Sequence, residues 1–209
     1  MASPHSDALH VKHNGQLDDA SREALFDFAA LLLRWNRTIN LIARRDEPLL
    51  WERHINDALQ LAPLIPNSAG RGIDLGSGAG FPGLVLALAT GIPFDLIEAD
   101  KRKAAFLNEA RRITGAPVTV HPARIEATFL APAPLVTARA LAPLPALLRL
   151  VAPKLAPGGV ALLPKGAGSQ AELTAARREW HMRVERIPGT HPGAVVFKIS
   201  ELRPVPPCA

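Results

Sequence analysis

The chain has a single cysteine, Cys208, and no tyrosine. A lone thiol among prolines supplies neither an internal disulfide nor a nucleophile held in a cleft. Phenylalanine and tryptophan are scarce too, which argues against an RNA-binding module built on exposed aromatics. Apolar runs such as 84–89 and 146–152 fall far short of the roughly 20 residues that cross a bilayer. No membrane role is expected. Residues 1–7 lack the basic stretch and apolar stretch of a secretion signal, so the expected location is cytoplasmic.

What is present is enough for one main domain: the chain has 209 residues, and 48% of them are hydrophobic. The net charge of +5 suits a polyanionic partner. Three basic clusters carry it: Arg44, Arg45 and Arg53; Lys101, Arg102, Lys103, Arg111 and Arg112; and Arg177, Arg178, Arg183 and Arg186. Any one of them reads equally well as a solvated helix face.

Residues 1–16 are polar and aperiodic, with His5, His10 and His13 scattered through them, and read as a flexible arm. Leu25, Phe28, Leu32, Trp35 and Ile39 then recur at spacings of three and four, which predicts a helix with one core face. A second helix is expected over 46–61. This helical extension, 17–66, precedes a domain over 67–202. A proline-rich tail over 203–209 is expected to extend neither strand nor helix.

From residue 67 strands and helices alternate. Strands are expected at 72–75, 94–98, 118–121, 135–137 and 160–163, and helices at 83–90, 101–114, 144–154 and 170–180. Such alternation predicts an α/β fold with a doubly wound, mostly parallel sheet. Two last strands, 182–187 and 194–199, joined by a Pro-Gly-rich link, place an antiparallel strand at the sheet's end.

The most informative segment is Asp74-Leu75-Gly76-Ser77-Gly78-Ala79-Gly80-Phe81-Pro82-Gly83, between a strand and a helix. Gly76, Gly78 and Gly80 allow a tight turn and a ligand lying against bare backbone. A dinucleotide fingerprint needs its third glycine where Phe81 stands, and no G-K-[ST] follows, so neither that motif nor a P-loop fits. Asp74 puts a carboxylate near the turn, which disfavours a diphosphate and suits a cationic ligand such as S-adenosylmethionine. Glu98, at the end of the next strand, is placed to accept both ribose hydroxyls of a nucleoside, or else to cap the following helix.

The absent chemistry narrows the target. Methylation of a pyrimidine carbon calls for a cysteine nucleophile, and methylation of an exocyclic amine for an [NDS]-P-P-[YFW] loop after the fourth strand. Here that position reads Thr137-Ala138-Arg139-Ala140-Leu141-Ala142-Pro143. A ring nitrogen with a free lone pair needs only to be positioned.

Together, Trp35-Asn36, Asn40-Leu41, Arg53-His54-Ile55 with Asp57, the glycine turn, Lys103 with Phe106-Leu107, Thr137-Ala138-Arg139-Ala140 and Lys165-Gly166 resemble one family. It is the bacterial 16S rRNA guanine-N7 methyltransferases, also called glucose-inhibited division protein B. The resemblance covers roughly 17–200. It implies a class I S-adenosylmethionine-dependent methyltransferase fold and, as cofactor, S-adenosylmethionine. The implied partner is 16S rRNA in the small ribosomal subunit or its assembly intermediate, the target N7 of guanine 527, and the expected state a monomer.

Carried onto this chain, the family's cofactor positions are Gly76 and Phe81 for the methionine and adenosine parts, Glu98 for the ribose, and Ile125 and Glu126 beside the adenine. Arg139 would pair with the cofactor carboxylate or an RNA phosphate. His54 and Asp57 would brace one another, and Lys165 would reach phosphate or substrate. Arg139, Lys165 and His54 are the candidates for a catalytic role, and no metal is expected. Ala58, Asp100 and Pro164 depart from the family pattern. A methyltransferase of small molecules or proteins, or an RNA-binding module with a degenerate pocket, remain the competing readings.

Overall fold

The computed structural model describes residues 17–206. The expected arm, 1–16, and Cys208 lie outside them. Helix α1, Asp19–Asn36, starts where the Asp18 carboxylate accepts from the Ser21 N–H at 2.9 Å, a side-chain cap on the first turn. It buries Leu25, Phe28, Leu31 and Leu32. It stops short of Ile39 for a local reason. The Asn36 Oδ1 accepts from the N–H groups of Leu41 and Ile42, turning the chain away from the helix axis.

The continuous helix expected over 46–61 is a string of short pieces instead: a 3₁₀ turn, Arg44–Leu49; a π turn, Trp51–Ile55; helix α2, Asn56–Leu59; and a 3₁₀ turn, Ala62–Leu64. Pro48 lacks the N–H a regular helix would use, and the wider π turn re-aims the residues after it. Arg53 and His54 sit on that π turn.

A seven-stranded sheet follows: β1 Gly72–Leu75, β2 Phe94–Ile97, β3 Val118–His121, β4 Ala133–Ala138, β5 Leu155–Lys165, β6 Trp180–Pro188 and β7 Val195–Pro204. Their order is β3-β2-β1-β4-β5-β7-β6. β1 to β5 pair in parallel, and β7 runs antiparallel to both β5 and β6. The antiparallel strand is thus inserted next to the edge, and β6 forms the edge itself. Trp180, expected to end a helix, opens β6. β7 runs through Arg203 and Pro204, because Pro204 stands at a strand end, where a missing N–H is tolerated.

Helices α3, Gly83–Thr90, and α4, Lys101–Thr114, pack with α1 on one face; α5, Leu144–Val151, and α6, Ser169–Ala176, cover the other. Strand residues alternate between the two cores: Phe94 and Leu96 face the first, Ile97 the second. Asp100 caps α4, its Oδ1 accepting from the Arg102 and Lys103 N–H groups. Gly91 and Gly115 end α3 and α4 in the left-handed conformation, the usual glycine stop. No helix among the described residues is long and apolar enough to cross a membrane.

Candidate functional site

The residues singled out in the sequence follow the C-terminal ends of the five parallel strands, where doubly wound sheets bind ligands. β1 leads into the glycine turn, β2 into Glu98, β3 toward the short 3₁₀ turn Ile125–Ala127, and β4 into Arg139; β5 ends on Lys165. Ile125 is buried and Glu126 exposed.

The turn is built for backbone approach. Gly76, Gly78 and Gly80 have φ of 65°, 54° and 90°, a region costly for residues with a side chain. At Gly76 a Cβ would stand 2.7 Å from Leu141 Cδ1, so the β4–α5 loop packs directly on the turn. At Gly78 nothing lies nearer than the Gly76 carbonyl oxygen, 3.8 Å away. Glu98 ties the turn to β2: one carboxylate oxygen accepts from the Gly78 N–H at 2.8 Å and the other from the Asp100 N–H at 2.7 Å. Capping of α4 belongs to Asp100.

Asp74 lies fully buried beneath the turn, its Oδ1 accepting from the Thr137 hydroxyl at 2.6 Å. A Cβ on Gly83 would come within 2.5 Å of the Asp74 Cβ, so the first turn of α3 lies directly on it. Burial pushes the Asp74 carboxyl up to about 6, against its hydrogen bond from Thr137, because a low-dielectric surrounding disfavours the charged form. Its Oδ2 has no hydrogen-bond partner.

Arg139 is held from three sides. Its Nη2 lies 2.9 Å from His54 Nδ1, its Nη1 lies 3.3 Å from Asp57 Oδ2, and its guanidinium carbon lies 4.9 Å from the centroid of the Phe81 ring. His54 stacks on that same ring, centroids 5.3 Å apart. Burial, then Arg139 itself, lowers His54 to about 4. At neutral pH it is therefore uncharged, and its Nδ1 accepts from Arg139. His54 and Asp57 meet through the guanidinium rather than bracing each other. The Phe81 ring faces inward, edge-on to Phe28 of α1. Ala140, next to Arg139, has φ 51°. That conformation costs on the order of 1 kcal/mol in a residue with a side chain.

Lys165 is committed as well. Its Nζ donates to Glu172 Oε2 at 2.8 Å and to the Ala142 carbonyl at 2.7 Å. Partial burial pushes Glu172 up, but the bonds from Lys165 and the Leu144 N–H outweigh it and hold the carboxyl below the usual range. Asp46, Glu172, Thr190 and His191 are additions that sequence reasoning missed. Thr190 donates to Asp57 Oδ1 at 3.1 Å, so the β6–β7 link closes one side. Arg53, His54, Arg139, Lys165, Glu172 and His191 line a cavity of about 750 Å³ beside the glycine turn. A cavity of about 810 Å³ near Gly158, Gly159 and His181 lies beside the start of β5, away from these groups.

A family model described as "GidB: rRNA small subunit methyltransferase G" matches residues 21–193. The chain belongs to this family. The ribosomal RNA small subunit methyltransferase G of Acidiphilium cryptum (strain JF-5) is 57% identical over 180 residues, 84% of this chain and 83% of that protein. Its counterpart in Granulibacter bethesdensis (strain ATCC BAA-1260 / CGDNIH1) is 53% identical over 181 residues, 86% of this chain and 85% of that one. Among solved structures, a TehB-like SAM-dependent methyltransferase from Corynebacterium glutamicum has a TM-score of 0.56 at 15% identity, over 84% of this chain and 98% of that one. That likeness concerns the fold, which is the class I methyltransferase fold.

The residues present fit S-adenosylmethionine. The left-handed glycine turn leaves main chain bare, and Asp74 supplies a negative floor whose second oxygen no protein group satisfies. Glu98 accepts one N–H at each carboxylate oxygen and so retains lone pairs for ribose hydroxyls. Among the described residues no cluster of metal-ligating side chains occurs.

Proposed function

We propose that this protein transfers a methyl group from S-adenosylmethionine to N7 of guanine 527 in small-subunit rRNA. The observation that carries the reading is the way Arg139 is fixed, between uncharged His54, Asp57 and the face of Phe81, where the glycine turn and the cavity of about 750 Å³ meet. When bound, S-adenosylmethionine supplies an electrophilic methyl on a sulfonium. The bond broken is that carbon–sulfur bond and the bond formed is carbon to N7, whose lone pair carries no proton. No general base is therefore required. The protein's task is to position the base and exclude water.

The residues suit that task. Guanine presents O6 beside N7, both acceptors, and a guanidinium donor to O6 orients the ring while leaving N7 free for the methyl. Arg139 is already ordered for this, so little side-chain entropy is lost on binding. The Lys165–Glu172 pair holds the β4–α5 loop, which forms the wall between turn and cavity. Small subunits, deproteinised rRNA and free nucleosides should be incubated with enzyme and methyl-labelled cofactor, then digested to nucleosides. The label should appear as 7-methylguanosine from RNA. Label in protein or in a free small molecule alone would replace this reading with another methyl acceptor.

A further inference from the structure

If the substrate is rRNA, the phosphates flanking the target base must be gripped by cations at the cavity rim. Arg139 and Lys165 are poorly available for that: their side chains are 19% and 11% exposed, Arg139 keeps few N–H groups beyond those given to Asp57 and His54, and Lys165 is held by Glu172. The grip has to come from elsewhere on the same edge.

We infer that Arg44, Arg45 and Arg53, on the helical extension, are the phosphate-binding site that orients the RNA strand over the cavity; this rests on the rRNA reading above. Arg53 lines the cavity with its side chain 49% exposed, and Arg45 is 87% exposed. Both share one acid, Asp46, at 3.5 and 4.0 Å. At such distances a surface pair is weak and readily exchanged for a phosphate. Arg44 precedes them and is exposed. The neighbouring Glu47 is turned inward, accepting from Asn36 Nδ2 at 2.6 Å, and Glu52 is the exposed acid remaining on the stretch. Among the exposed residues of 44–53, three arginines therefore stand against one acid. Asn36 makes the stretch rigid, because the same side chain that ends α1 holds Leu41, Ile42 and Glu47. The π turn then presents Arg53 beside His54 at the cavity.

Two other pairs of basic residues are placed differently. Arg177 and Arg178 follow α6 and so lie a helix length away from the end of β5, and Arg111 and Arg112 stand in the last turn of α4. This gives an internal control of equal charge. The affinity of the Arg44→Gln/Arg45→Gln protein for deproteinised small-subunit rRNA should be measured over a salt series, beside the parent and an Arg177→Gln/Arg178→Gln protein. Each lost contact to single-stranded RNA lowers the log–log salt slope by about 0.7, so the first pair should lower it by about 1.4, and the control should leave it unchanged. Cofactor affinity, measured on the same samples, should stay at the parent value. An Arg44→Lys/Arg45→Lys protein should keep the parent slope, which separates lost charge from lost structure. An unchanged slope in the glutamine pair, or an equal drop in the control, would overturn the inference. Failure of the parent to methylate rRNA would instead refute the underlying function.

Discussion

The Arg139 guanidinium sits over the Phe81 ring at 4.9 Å, joining the strand-end cation to the residue that follows the glycine turn. In the proposed site, the cofactor side and the substrate side share this contact. The guanidinium also reaches His54 and Asp57 at once, which needs a planar fork that lysine does not provide. Arg139→Lys should therefore lower kcat by about 10²-fold, the scale of losing a positioning contact, with a smaller effect on cofactor dissociation. Steady-state kinetics on small subunits, with calorimetry for the cofactor, would check this. Wild-type kcat in a folded Arg139→Lys protein would remove Arg139 from the positioning role.

Glu98 bonds the Gly78 and Asp100 N–H groups, so it shapes the turn in addition to the ribose contact proposed for it. Glu98→Ala leaves two donors without a partner and should weaken cofactor binding by ~1–3 kcal/mol. Calorimetry gives the value directly. A dissociation constant equal to the parent's would strip Glu98 of both roles.

A Cβ at Gly78 meets no neighbour nearer than 3.8 Å, yet the residue stands at φ 54°. A valine there is strained and projects its branched side chain where the ligand approaches. Gly78→Val should fold, with a modest fall in Tm, and lose cofactor binding. A folded variant that binds the cofactor normally would show that the turn is not the binding surface.

Asp74 and His54 pull stability in opposite directions with pH. The folded protein holds Asp74 at about 6, above its ordinary 3.8, so its contribution is complete below the ordinary value and lost as pH rises through the folded one. His54 is held at about 4, below its ordinary 6.5, so its contribution is complete above the ordinary value and lost as pH falls through the folded one. Asp74→Asn removes only the first. The variant should gain up to roughly 3 kcal/mol over the parent above about pH 6, lose that advantage toward about pH 4, and bind the cofactor more weakly. Thermal melts from about pH 4 to 8 test the sign; parallel curves for parent and variant would contradict it.

Much of this site was legible because its signals are local. A strand, three spaced glycines, Asp74 and an acid ending the next strand lie within one β–α–β unit, and the backbone obeys them. Helix ends at Asp100 and Gly115 were equally local. The extension was not, since apolar spacing over 46–61 matches one helix and only Pro48 hints otherwise. The stretch also has a partner well upstream, Asn36, whose side chain donates to Glu47 in the first 3₁₀ turn. The position of β7 between β5 and β6 depends on pairing across the sheet, to which strand patterns are blind. Glu172 and Thr190 escaped notice for the same reason: their partners, Lys165 and Asp57, are reached through the fold rather than along a helix face.

The identity of the atom that receives the methyl decides the function most directly. A guanine methylated at N7 is cationic, and reduction followed by aniline cleaves the strand at that nucleotide. Small subunits from a strain lacking this methylation should be treated with enzyme and cofactor, and the rRNA cleaved and mapped by primer extension. A single enzyme-dependent cleavage at guanine 527 is the predicted result. Label incorporated without cleavage there, as in a pyrimidine or an exocyclic amine, would contradict it.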